Sequence, residues 1–518
     1  MKRFLAISAL ALALQLDFHG PSQGASEKAK QGGTLTLAVR NDLQLTSPFV
    51  NVRSTQGRIL DLLFDPLLGI DLQGRIQPGL AESWETSRDG RAYTFKLRRG
   101  VKFHSGKEMV AEDVKFSMDY AMNPRNGASG FVDLSVVEKI ELIDPYTVRV
   151  TLKKISPGFL SSLTALRSFP VVSKGSLPDG IDKIPTFPPG TGPFRFVEWK
   201  PQQLVTLERH ANFWGPKAHV ERLLLRPVRE DAVRLTALRA GDVDMIERLP
   251  MEWAKQVADG KLKEIEFKAA THSEFRGIEF NVAQPPFNNK KLRQAVAYAI
   301  NKKEILQAGS HGFGETSDQK YPRGHRWFVS GLPPFHQDLD RARALLKEAG
   351  YGGETIAFMV EPAQNRQAEA AMLQAQLKKA GMNVKLDVIE SGAYRDRQRK
   401  GEFAFKFDSG GLYPDPIQSY GEVRCEPDSK KRATNTTGYC DPMMDRLLER
   451  LETEANLEKR EAVLREIIAK LYEDIPELYL GFVPQFYAFR GYVKDFTTDS
   501  DANLRWWGGG LSHTWLDK

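Results

Sequence analysis

Residues 356–388 read IAFMVEPAQNRQAEAAMLQAQLKKAGMNVKLDV. Ile356–Val360 is a short apolar run closed by Glu361-Pro362, Arg366–Ala380 keeps a helical pattern up to Gly381, and Val384–Val388 alternates apolar with charged residues. Strand, helix and strand in that order are the punctuation of an α/β fold.

The same rhythm extends on both sides. Upstream lie a strand at Gly277–Asn281 and a helix over Lys290–Gln307, with Leu292, Ala295, Val296, Ala299 and Ile300 on one stripe. A second helix, Leu339–Ala349, is bracketed by Asp338 as N-cap and Gly350 past its end. Downstream come a short helix through Arg395, a strand at Phe403–Phe407, a long helical stretch from Pro442 to about Leu471, and a strand at Leu478–Phe482. The N-terminal part reads differently. Leu35, Leu37 and Val39 share one face of a strand, Tyr93, Phe95 and Leu97 alternate with polar residues, and so do Val148, Val150 and Leu152 after the Asp144-Pro145 turn. Half-buried antiparallel strands are predicted there, with a helix over Ala111–Met122, so that residues from about 70 to 165 form a mixed subdomain. The tract 183–193 holds four prolines and reads as an ordered connector. No fixed-period repeat occurs.

The whole chain of 518 residues, 41% apolar and 27% charged, can bury several cores. Its 73 basic against 66 acidic residues leave +7, too thin a surplus over such a length to imply nucleic acid as partner. Lys2 and Arg3 precede an apolar run, Phe4–Leu16, followed by small residues up to Ala25. That pattern is a secretory leader covering residues 1–24, since a membrane span needs roughly 20 apolar residues and this run is shorter. With no cysteine beside the cut, a periplasmic protein without a lipid anchor is expected. In an oxidising compartment Cys425 and Cys440, flanking a polar segment, are expected to form a disulfide worth about 3 kcal/mol. Two buried free thiols are the alternative.

Catalytic motifs are missing. There is no Gly-x-Ser-x-Gly elbow, His-Glu-x-x-His helix or Walker A loop; Asn126–Gly130 and Gly106-Lys107 lack the required spacing. The nine histidines are scattered without a helical i, i+4 pair, so no metal and no cofactor are expected. A secreted periplasmic hydrolase is the alternative function class, and a nucleophile motif would have marked it.

Several stretches carry a family resemblance: Gly79-Leu-Ala-Glu-Ser-Trp-Glu85, Gly90–Gly106 (GRAYTFKLRRGVKFHSG), Ala111-Glu-Asp-Val114, Gly190-Thr-Gly-Pro-Phe194, Glu208-Arg209, and Asn212-Phe-Trp-Gly215. Phe280-Asn281, Pro286-Phe287, Arg293–Ile300 (RQAVAYAI) and Tyr413-Pro-Asp-Pro416 extend it over nearly all of the chain past the leader. This wording resembles the dipeptide, oligopeptide and nickel-binding proteins, family 5 of the bacterial extracytoplasmic solute-binding proteins. The resemblance implies a two-lobed periplasmic-binding-protein fold of class II type, α/β, with an extra α+β subdomain in the first lobe. The expected division is leader 1–24, first part of lobe I 32–70, extra subdomain 71–165, lobe I continued 166–274, lobe II 275–483, and return to lobe I 484–518. It also implies a small-molecule solute, an inner-membrane ABC permease with its ATPase subunits, and a monomer that performs no chemistry. Cys425 and Cys440 fall where the dipeptide-binding type carries a bridge.

Within the resemblance, Trp84, Tyr93, Phe95 and Leu97 read as subdomain core, Glu112 and Asp113 as first-turn residues favoured by the helix dipole, and Trp506-Trp507 as lobe packing, with stacking on a sugar or aromatic ligand as the alternative. The expected ligand segment is Lys406, Asp408, Ser409, Gly410, Gly411, Leu412, Tyr413 and Asp415. In the peptide-binding members an aspartate just before the segment matched by Tyr413–Pro416 holds the peptide's amino group; here the position is Leu412, with Asp408 or Asp415 as substitutes. Phe403, Phe405 and Phe407 share one strand face and Ala404, Lys406 and Asp408 the other. A solvated lysine is one reading of Lys406; the other, supported by an arginine nearby in the oligopeptide-binding type, has it meet an anionic group. The resulting expectation is an anionic or hydroxyl-rich solute, opine-like or a sugar conjugate, with poor binding of ordinary free-amino peptides.

Overall fold

Two strands dominate the computed structural model, Ile265–Phe280 and Glu477–Arg490. The structure describes residues 29–43, 47–50, 55–71, 73–164, 169–177, 187–426, 435–499, 504 and 510–518. The expected leader, the Trp506-Trp507 pair and the first residues of the proline-rich tract lie outside the described residues.

The long strands run antiparallel in two blocks. Ile265–Ala270 pairs with Gln485–Arg490, and Glu274–Glu279 with Glu477–Val483. Between the blocks Thr271, His272 and Ser273 stand opposite Pro484, outside the ladder. Proline has no N–H to donate, so the pairing has to lapse where it sits. A second irregularity follows at Arg276/Gly277, opposite Gly481. Gly481 has φ 149°, and a Cβ there would lie 2.0 Å from the Glu315 carbonyl oxygen, so only glycine admits the crossing strand Glu315–Thr316.

Around this pair the described residues form one sheet of 11 strands. Beside the Glu274–Glu279 block lie Phe405–Gly410, then Ile356–Val360 and Val384–Val388, the last two parallel. Beside the other block lie Met245–Ile246, Thr34–Val39, Arg222–Pro227, Leu204–Arg209 and Phe194–Lys200. Each half has its own core. Leu35, Leu37, Leu223, Leu225 and Tyr487 belong to one apolar cluster, and Ile278, Phe280, Phe358, Phe405, Phe407 and Leu478 to another. This is a two-lobed α/β fold whose lobes share one sheet through the long pair.

A second sheet, Ala81–Thr86, Ala92–Leu97, Thr147–Leu152 and Val137–Asp144, is antiparallel throughout. The helix Ala111–Met122 has the bounds read from sequence. Tyr93, Phe95 and Leu97 are buried, and Trp84 packs against the same core. Asp113 does more than favour a helix dipole: its buried carboxylate accepts from the Val110 and Lys174 amides and pairs with Lys107 at 2.6 Å.

Several elements depart from the sequence reading. The helix expected over Lys290–Gln307 is two, Lys290–Ala299 and Lys302–Ser310, because Ile300 is extended and Asn301 caps the second by accepting from the Glu304 amide. The stretch expected from Pro442 is likewise divided into Pro442–Thr453 and Leu457–Asp474, with Asn456 as the new cap. An Asn side chain competes for backbone donors, and a stripe of apolar residues does not register that. The strands expected at Gly277–Asn281 and Leu478–Phe482 are only the lobe II ends of the long pair.

Cys425 and Cys440 are joined. Asn435 fastens the same loop, donating to the Arg424 and Tyr439 carbonyls at 2.9 and 2.7 Å. Alkylation of the native protein without reductant should therefore label neither cysteine. Reduction should lower the melting temperature through a loss of about 3 kcal/mol. Labelling of both thiols in unreduced protein would contradict the bond.

Candidate ligand-binding cleft

The lobes meet a second time, away from the long strands. The Arg326 amide donates to the Gln73 carbonyl at 3.0 Å, and Lys154 pairs with Glu452 at 2.8 Å, where Arg424 also reaches at 3.1 Å. A Cβ on Gly74 would strike the His325 ring, and one on Gly158 would lie 3.3 Å from the Asp415 carboxyl carbon. The lobes thus touch in two places, at the long pair around Thr271–Ser273 and Pro484 and again at these contacts.

The segment expected to hold ligand lies on the lobe II side, but its charged members are engaged inside the lobe. Lys406 is 1% exposed and faces Glu279 in direct cross-strand register, with its ammonium on that carboxylate and 3.9 Å from Asp408. Burial alone would lower the Lys406 pKa; Glu279 and Asp408 raise it. The expectation that Lys406 meets an anionic solute is therefore corrected: a buried ammonium takes the nearest carboxylate, and here that is its own strand neighbour. Asp408 opposes burial with Lys406 and Lys320, and shares a hydrogen bond with Glu477. Asp415 caps the helix Pro416–Tyr420 by accepting from the Ile417 amide and is gripped by buried Arg460 at 2.6 and 2.7 Å. That fork-to-carboxylate pair removes Asp415 as an amine acceptor. Leu412 packs against Phe275, Tyr479 and Phe482. Ser409 and Gly411 remain exposed, Gly410 and Tyr413 half-buried. The Tyr413 and Pro414 carbonyls accept from the Tyr321 hydroxyl and the Trp327 indole, each at 3.0 Å, which fixes the course of the loop.

Sequence reasoning missed the arginines at the crossing. Arg276 contacts Glu274 at 2.5 Å and Glu369 at 3.8 Å; Arg366 contacts Glu369 at 3.3 Å and stacks over Phe407. Burial would raise the Glu274 pKa, but Arg276 and Arg366 hold it below the usual carboxylate range, with Ser409 as a hydrogen-bond partner. From lobe I, Arg58 donates to Glu247 at 3.0 Å and to Gln485 at 2.8 Å, beside the same crossing. These residues are far apart in sequence, and nothing in their local patterns marks them. Among the described residues no group of three His, Cys, Asp or Glu side chains is arranged to hold a metal ion.

Comparison with known proteins places this geometry. The family model described as bacterial extracellular solute-binding proteins, family 5 middle, matches residues 75–429. The glutathione-binding protein GsiB of Pectobacterium atrosepticum is 29% identical over 460 residues, covering 86% of this chain and 88% of that protein. Heme-binding protein A of Haemophilus influenzae is 30% identical, covering 81% and 82%. In structure, the ABC transporter substrate-binding protein CtaP of Listeria monocytogenes superposes with a TM-score of 0.85 at 22% identity, over 94% of this chain and all of that one.

Glu477 provides a pH test of the buried charge cluster. Burial raises its pKa to about 8, against the pull of Lys320, so the folded protein keeps a proton that the unfolded chain releases above its ordinary 4.5. A raised folded-state pKa contributes stability that is complete below pH 4.5 and is lost as pH climbs through about 8. Glu477→Gln should abolish that loss. The melting temperature of the variant minus that of the parent should rise over this interval; a constant difference would show that Glu477 does not hold the proton.

Proposed function

Because the chain belongs to family 5 of the bacterial extracellular solute-binding proteins, and so is the solute-binding component of an ABC importer, we propose that it captures a peptide-like, opine-like or sugar-conjugate solute between its lobes. It then delivers the solute to an inner-membrane permease powered by ATPase subunits. It works as a periplasmic monomer after removal of the leader, without a lipid anchor. The hydrolase alternative is set aside, since the matched family and relatives are binding proteins.

The observation that carries this reading is the gap in the long-strand ladder at Thr271–Ser273 and Pro484. Residues released from pairing are free to change φ and ψ, and a rotation there would part Lys154 from Glu452 and Arg326 from Gln73. The two crossings are the hinge, and the rim contacts belong to the closed state. A solute that touches both lobes shifts the balance toward closure by its differential contacts alone.

The ligand segment spans Ser409–Tyr413. Leu412 is apolar there, Asp415 is taken by Arg460, and Asp408 is held by Lys406 and Glu477. That leaves the segment no carboxylate for a ligand ammonium, which favours solutes other than ordinary peptides.

Small-angle scattering should show a smaller radius of gyration with solute bound, and a saturating solute at 100 times its dissociation constant should add about 2.7 kcal/mol of stability. An unchanged radius at saturation would count against closure. Lys154→Ala should weaken binding by no more than about fivefold, the range of an exposed ion pair. In calorimetry a mixed set of di- to pentapeptides should bind poorly; submicromolar affinity for them would contradict the reading of the Ser409–Tyr413 segment.

A further inference from the structure

Lys406 is engaged inside lobe II, whereas among the described residues Arg248, at the crossing, is a cation with no ion pair. Arg248 follows the strand Met245–Ile246 and precedes the helix Met251–Ala258. Its φ is 54°, a left-handed conformation that an ordinary residue adopts only at a cost. The residues on either side explain how it is held there. Glu247 is turned into lobe I, accepting from the Arg40 amide at 2.6 Å and from Arg58 at 3.0 Å, and the Leu249 amide donates to the Phe486 carbonyl of the long strand.

Among the described residues the Arg248 guanidinium has no hydrogen bond and no ion pair. The acids near it are engaged: Glu247 by Arg58 and the Arg40 amide, Glu274 of lobe II by Arg276 and Ser409. Its other charged neighbours, Arg58 and Arg40, repel it. Burial disfavours its charged form, ahead of the Arg58 effect. An arginine strained in backbone, half-buried and without a counter-ion is poised for a partner that arrives from outside.

We infer that Arg248 takes an oxyanion of the solute, so that the cargo of this protein carries a carboxylate or phosphate group seated on lobe I beside the crossing. This rests on the reading that solute binds between the lobes. A planar guanidinium offers parallel N–H donors that match either oxyanion. Closing over an unpaired guanidinium is unfavourable, and closing over a guanidinium with its anion is not; Arg248 thereby makes closure depend on the charge of the solute.

Calorimetry with matched pairs tests this: glutathione and its diethyl ester, trialanine and its amide, D-gluconate and D-glucose, with D-glucose 6-phosphate as the phosphate arm. The co-purifying solute, detected by native mass spectrometry, is run beside them and tested for retention on an anion exchanger. Every solute that binds should be the member with the free carboxylate or phosphate, its ester, amide or uncharged counterpart should be weaker by about 30-fold or more, and R248Q should lose a similar factor, with R248K recovering part of it. Unliganded R248Q should melt no lower than the parent, which separates lost recognition from lost folding. A neutral solute that binds as tightly as its acid, or an acid whose affinity survives R248Q, overturns the inference and leaves the clamshell reading intact. If neither the set nor the co-purifying fraction binds or compacts the protein, both fall together.

Discussion

Everything in this molecule hangs on the antiparallel ladder between Ile265–Phe280 and Glu477–Arg490 and on its lapse at Pro484. A continuous ladder of that length would weld the lobes into one rigid sheet. A missing ladder would leave two separate domains on a tether. The lapse opposite Thr271–Ser273 gives neither. The hydrogen bonds of each block hold the long strands into their own lobe core, and the residues between the blocks owe their backbone geometry to neither core. One imino acid, which cannot donate, separates the two behaviours.

The second constraint is the buried charge of lobe II. Lys406 with Glu279, Asp415 with Arg460, and Arg276 and Arg366 with Glu369 are each removed from water. Desolvating such groups costs several kcal/mol per ion, and pairing offsets that cost without a large net gain. Their contribution is therefore less to overall stability than to fixing the loop Ser409–Asp415 and the strand Phe405–Gly410 in one register. These ion pairs lie within lobe II, so they hold that segment without help from the other lobe.

Membership of family 5 establishes the scaffold and the transport role, and it leaves the solute open. The relatives illustrate this: proteins named for glutathione and for heme share about the same identity with this chain. Departures from a family pattern therefore carry the specific information. Leu412 is one, visible in the sequence. Arg248 stands out on different grounds, its lack of a counter-ion in the folded chain.

Local patterns determined a good deal by themselves. The strand Thr34–Val39, the helix Ala111–Met122 and the strands around Tyr93–Leu97 and Val148–Leu152 follow from period and capping, because each depends on neighbours a few residues away. The class of fold and the cysteine bond were legible for the same reason, with the family wording added. What only the tertiary structure decided is pairing across long separations. Period placed Lys406 on the face opposite Phe405 and Phe407, yet whether that face met solute or Glu279 depended on a strand more than a hundred residues upstream. Asp415 was a candidate amine acceptor until Arg460, from a distant helix, closed on it. Charges act on whatever lies within a few ångströms, and the chain does not state in advance which residues those will be.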